Sequence, residues 1–146
     1  MQPRARWMML VPILAALPLA ACSQKSADAS TDRPSYLEDI EGSAFKRVVL
    51  TEKAAERLDI QVAPVSEEQV EGTQRLVMPY AALLYGLNGE TWAYIMPEPL
   101  TFVREAIIVD YIEGDIAVLL AGPAIGTEVV TVGVAELYGA ETGVSK

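Results

Sequence analysis

The chain contains no histidine and one cysteine in 146 residues. Without imidazole, His-based acid-base catalysis, Ser-His or Cys-His activation of a nucleophile and imidazole metal sites are excluded. A lone cysteine closes no disulfide within its own chain. Positive charge is also scarce, with Lys+Arg 11 against Asp+Glu 20 and a formal net charge of -9. A phosphate backbone requires a basic surface, so nucleic acid is excluded as a partner. The acidic pairs Glu67-Glu68 and Glu113-Gly114-Asp115 lack the regular oxygen-ligand spacing of a calcium loop, and the second reads as a hairpin turn. Beyond the first 21 residues only Met78 and Met96 remain as thioethers. Each sits in a strand pattern and reads as core, not as a soft-metal ligand. No cofactor is implied. What is present is a 51% apolar, 21% charged chain, long enough for one domain of ordinary size.

The first residues read as an address. Arg4 and Arg6 precede an apolar run over residues 7–21, broken by Pro12 and Pro18, and Cys22 follows. The run is about five residues short of the roughly 20 that a spanning helix needs, which leaves a secretion signal. Leu19-Ala20-Ala21-Cys22 resembles the lipobox of bacterial lipoproteins. The resemblance implies cleavage before Cys22, a diacylglyceryl thioether on its sulfur, and a mature protein tethered to a membrane without crossing it. Two or three acyl chains anchor stably where one binds only reversibly. An ordinary cleaved signal with an incidental cysteine is the alternative.

Residues 23–44 are rich in Ser, Ala, Asp and Glu and lack a sustained apolar period, the composition of a flexible linker. Tyr36, Leu37 and Ile40 are the apolar exceptions in it. The expected organisation is a signal at 1–21, lipidated Cys22 and linker at 22–45, and a body at 46–146.

In the body, Val48-Val49-Leu50 predicts a strand. Thr51 predicts an N-cap for a short helix over 52–58, with Glu52 placed well at its positive end. Residues 60–65 alternate as a strand, and Pro64 points to a sheet edge. A polar, Glu-rich turn is expected at 66–72. Further strands are expected at 73–78, 81–85, 91–96, 101–112, 116–120 and 128–132, with Asn88-Gly89 predicting a tight hairpin. A tail rich in Gly, Ala and Glu closes the chain. The expected fold is mainly β, a small roll or barrel-like domain of six or seven strands with one short helix. Trp92, Tyr94 and Met96 share one strand face, expected to be core, and Thr91, Ala93 and Ile95 share the other.

Several stretches together resemble a known family. They are Met78-Pro79-Tyr80-Ala81-Ala82-Leu83-Leu84-Tyr85 with Asn88-Gly89, Thr91-Trp92-Ala93-Tyr94-Ile95, and Leu100-Thr101-Phe102-Val103-Arg104. Glu113-Gly114-Asp115 and Gly126-Thr127-Glu128-Val129-Val130-Thr131-Val132-Gly133 continue the series. They resemble the C-terminal part of periplasmic adaptor subunits (membrane fusion proteins) of resistance-nodulation-division efflux systems. Val49-Leu50-Thr51 and Arg57-Leu58-Asp59-Ile60 through Val65 are similar to the start of the same adaptors' folded part. The resemblance implies a membrane-proximal domain standing alone, since that domain is built in the adaptors from both chain ends. Three departures stand out: no long heptad-patterned hairpin, no lipoyl half-motif, and Asp59 where the family commonly has Gly.

The implied function is a non-enzymatic, lipid-anchored periplasmic accessory or adaptor-like protein of an efflux system. Its partners would be a membrane through the anchor and the transporter or its adaptor. Site residues are Cys22 for lipid attachment, and Arg104 and Tyr80 as candidate partner contacts. Arg104 is expected to point outward from its strand. Adaptor kinship favours the inner membrane over the outer. The alternative is a periplasmic lipoprotein that binds a small ligand or cation, and a decayed adaptor remnant is a third reading.

Overall fold

The computed structural model describes residues 33–143. The expected signal peptide, Cys22 and the first part of the linker lie outside the described residues. The described chain runs through β1 (Ser35–Asp39), β2 (Lys46–Leu50), α1 (Glu52–Arg57), β3 (Gln61–Pro64), β4 (Ser66–Val70) and β5 (Thr73–Pro79). A 3-10 turn at Tyr80–Ala82 leads to β6 (Leu84–Tyr85), β7 (Thr91–Glu98), β8 (Thr101–Glu113), β9 (Ile116–Ala121), β10 (Glu128–Val132) and α2 (Val134–Thr142). The described residues are mainly β, as expected, with ten strands instead of six or seven and a second helix.

The strands join in one sheet whose main path is β3-β10-β7-β8-β9-β5-β4. β8 organises it. Its first half pairs with β7, from Thr101↔Glu98 to Ile107↔Thr91, and with β2 through Val48↔Phe102. Its second half pairs with β9, from Ile108↔Ala121 to Glu113↔Ile116. Register shifts between Ile108 and Val109 and between Val109 and Tyr111 mark the crossover. Such bulges add local twist and bend a strand. β3 is at the sheet edge, where Pro64 removes no needed donor.

Both faces of β7 are core, not one. Ala93 packs in an aliphatic cluster with Met78, Ile107, Leu119 and Val129, with Ile95 against it. Tyr94 packs on the opposite face with Phe102, Val130, Leu137 and Ala54, with Met96 against them. The two helices cover this second face. α1 starts as expected, since the Thr51 side chain accepts from the Ala54 N–H at 3.2 Å. Asp59 follows with φ of 49°, a left-handed conformation that Asp tolerates better than most residues.

Four segments differ from expectation. Residues 81–85, expected as one strand, divide between the 3-10 turn at Tyr80–Ala82 and the two-residue β6 at Leu84–Tyr85. Residues 35–39, expected within the linker, form β1 and pair with β2 from Ser35↔Leu50 to Asp39↔Lys46. Two cross-strand ion pairs accompany it, Lys46–Asp39 at 3.3 Å and Arg47–Glu38 at 3.2 Å. Residues 66–70, expected as a turn, form β4 against β5, and the reversal is confined to Glu71 and Gly72 with φ of 49° and 81°. Both strands flank the sheet with one partner each, bury little, and are charged as edges are, so neither shows an apolar period. The closing tail is α2. Val134, Leu137, Tyr138 and Glu141 recur at helical spacing and face the sheet. Gly133 opens this helix with φ of 95°, and a Cβ there would stand 2.1 Å from Ile60 Cδ1, so any other residue would strain the backbone and push the Ile60 side chain aside.

Candidate functional site

Arg104 lies opposite Tyr94 in the β7–β8 ladder, on the face covered by α2. The expected outward orientation does not hold. Its guanidinium reaches Glu141 on α2 at 3.1 Å, and the two side chains are 13% and 4% exposed. Glu141 also accepts from the Tyr94 hydroxyl and, at 3.4 Å, from the Lys46 N–H. Three rings enclose the guanidinium: Phe45 at 4.3 Å, Trp92 at 5.2 Å and Tyr138 at 5.4 Å from their centroids. Phe45 and Trp92 meet edge to face at 4.8 Å. A cation over aromatic faces gains from the ring quadrupole, more so when desolvated. Burial, and then the hydrogen bond to Glu141, push the Tyr94 phenol up. Arg104 thus ties α2 to β8 from within. Glu141 escaped the sequence reading, although its spacing from Val134, Leu137 and Tyr138 was a usable signal.

Tyr80 is at the surface, 42% exposed, at the start of the 3-10 turn. Its backbone is fixed from two sides, by its N–H donating to the Asp115 carbonyl at 2.8 Å and by its own carbonyl accepting from Leu83 N–H at 3.0 Å. Beside it is Tyr85, 57% exposed, whose phenol is raised by desolvation and then by a hydrogen bond with Tyr80. Leu87, 99% exposed, follows two residues later.

The loop carrying Leu87 is a built structure. Gly86 N–H donates to the Glu90 carbonyl at 2.7 Å, and the Glu90 carboxylate accepts from Asn88 N–H at 3.1 Å and from Asn88 Nδ2 at 3.2 Å. Hydrogen bonds from its own backbone and from Asn88 hold the Glu90 carboxyl below the usual range. A Cβ on Gly86 would meet Glu90 Oε2 at 2.7 Å. The loop spans 86–90, and Asn88-Gly89 is not the tight two-residue turn expected: only Gly89 takes a positive φ, of 89°. Tyr80, Tyr85 and Leu87 are thus three exposed apolar side chains within eight residues, on the 3-10 turn, β6 and the loop that follows it. Exposed apolar groups grouped together mark interaction sites where single ones do not.

Among the described residues no group of three or more His, Cys, Asp or Glu side chains is arranged to hold a metal ion. No described helix is long and apolar enough to cross a membrane.

No family model matches the chain, and no curated protein matches it. Among solved structures it is similar to the NMR structure of a 180-residue piece of SilB from Cupriavidus metallidurans CH34, which holds an N-terminal metal-binding site and the membrane-proximal domain. The identity is 22% and the TM-score 0.44, over 64% of this chain and 53% of that one. The chain therefore spans about half the length of that structure.

Proposed function

We propose that the protein is a non-enzymatic, lipid-anchored periplasmic accessory of a resistance-nodulation-division efflux system, which docks on the transporter or its adaptor. One observation carries the reading. The two blocks of adaptor-like sequence, on either side of the β4–β5 hairpin, interleave in one sheet, β3 beside β10 and β2 beside β8. A membrane-proximal domain assembled from two chain ends requires that arrangement. The lipobox-like Leu19-Ala20-Ala21-Cys22 supports the anchor. Tyr80, Tyr85 and Leu87 supply the docking projection.

Anchoring acts through effective concentration. A body held close to the membrane meets its partner at high local concentration, so a small docking surface suffices. The test uses the full chain. Affinity purification from native membranes is expected to recover a transporter or adaptor component with wild type. The Tyr80→Ala, Leu87→Asp double variant is expected to lose it while keeping the wild-type melting temperature. Recovery of no such component with wild type would sink the docking proposal. Flotation tests the anchor separately: wild type is expected to float with membranes and Cys22→Ser to stay soluble.

A further inference from the structure

Between α1 and α2 lies an apolar groove of about 470 Å³ that neither the ion-pair network nor the docking projection uses. Leu50 and Ala54 form its floor, and Leu58, Gly139 and Ala140 line it further. It stays open because the facing helix positions are small. Among the described residues, a Cβ added at Gly139 would meet no atom within 4 Å. Two charged side chains line it, Arg57 and Glu136, one of each sign, so the groove selects no head-group charge. Its chemistry is that of a site for an uncharged aliphatic chain.

Where the chain enters the described structure points to the occupant. Pro34 and Ser35 form a lip of the groove. The ten residues before Arg33 that follow Cys22 are Ser-Gln-Lys-Ser-Ala-Asp-Ala-Ser-Thr-Asp, with no large apolar side chain. Cys22 itself stands 12 positions before Pro34. Twelve residues reach at most about 40 Å when extended, enough to bring that sulfur to the lip.

We propose that the groove seats an acyl chain carried by Cys22 of the same molecule. This rests on the lipid-anchor reading above. Seating one chain removes it from the bilayer, and membrane attachment depends steeply on how many chains remain inserted. The groove would therefore make the anchor adjustable: chains shared between membrane and protein hold less firmly than chains all in the membrane.

The experiment uses the full chain, produced in bacteria fed a palmitate analogue with a diazirine near its terminal carbon, then irradiated in native membranes. Intact mass of the mature protein first reports whether Cys22 is acylated. Peptide mapping is then expected to find the Cys22 peptide joined through its acyl chain to peptides containing Ala54, Leu58 or Ala140. Gly139→Leu, which puts a side chain into the groove, is expected to lose these cross-links while keeping the acylated mass and a melting temperature no lower than wild type. An acylated protein cross-linked only to bulk lipid overturns the groove and leaves the anchor standing. Groove peptides joined to phospholipid and not to Cys22 overturn the assignment to its own chain. A mature protein without acyl groups overturns both readings.

Discussion

The two faces of β7 are closed by different physics. On one, Met78, Ala82, Ala93, Ile107, Leu119 and Val129 make an aliphatic core, and among the described residues the buried charged side chain, Glu141, lies on the other. On the other, Tyr94 and Phe102 share the space under α2 with the Arg104–Glu141 pair. Aliphatic packing is non-directional and scales with area, so losses there are graded. Arg104 Nε is already buried without a hydrogen-bond partner among the described residues, so Glu141 carries the compensation for this charge, and a guanidinium left without it retains its desolvation cost. The helix-covered face should fail abruptly where the aliphatic face yields by degrees.

The largest expected effect tests that contrast directly. Glu141→Ala leaves Arg104 buried without its carboxylate and is expected to cost about 3–5 kcal/mol in urea unfolding. Combining it with Arg104→Leu should recover most of that loss. A double variant as unstable as the single would show that packing of α2, not charge, dominates this face.

On the aliphatic face Met78→Ala should cost about 3 kcal/mol and Met78→Leu less than about 1.5 kcal/mol. An equally severe Met78→Leu would erase the difference between the faces.

A pH effect sharpens the comparison further. The Tyr94 phenol is raised above its ordinary 10.0, first by desolvation and then by the hydrogen bond to Glu141. The folded state therefore keeps this proton at a pH where the unfolded chain gives it up. Its contribution is fully present below about pH 10 and declines above it, by up to about 1.4 kcal/mol per pH unit. Tyr94→Phe is expected to flatten the stability profile above pH 10 relative to wild type, with unchanged slopes at neutral pH. Identical alkaline slopes would place the phenol outside the network.

The smallest effect concerns the helix that flanks the groove. Thr51→Ala removes the cap on Ala54 N–H and should lower stability by about 1 kcal/mol, read as a shift in the urea midpoint without a change in slope.

Legibility followed burial. Strands with strong apolar or β-branched content, β2, β5, β7, β8, β9 and β10, were readable because their side chains pay for burial on at least one face. β3, also at an edge, was readable because Val62 and Ala63 are half-buried in its middle, whereas β1 and β4 were not, being mostly polar or exposed along their length. Tyr80 stood out in the sequence only as a candidate partner contact; the structure puts it at the surface with the Tyr85 phenol against it. Arg104 read as outward because a lone cation in an apolar strand has no visible partner in the linear sequence.

The sequence alone determined the composition limits, the mainly β class, the Thr51 cap and the turn chemistry at Asp59, because each depends on residues within a few positions of one another. Only the tertiary structure decided that both faces of β7 are buried, that Arg104 turns inward to Glu141 across 37 positions, and that an open groove lies between α1 and α2. Those outcomes depend on which distant segment covers which face, and α2 makes that choice by packing, not by local preference.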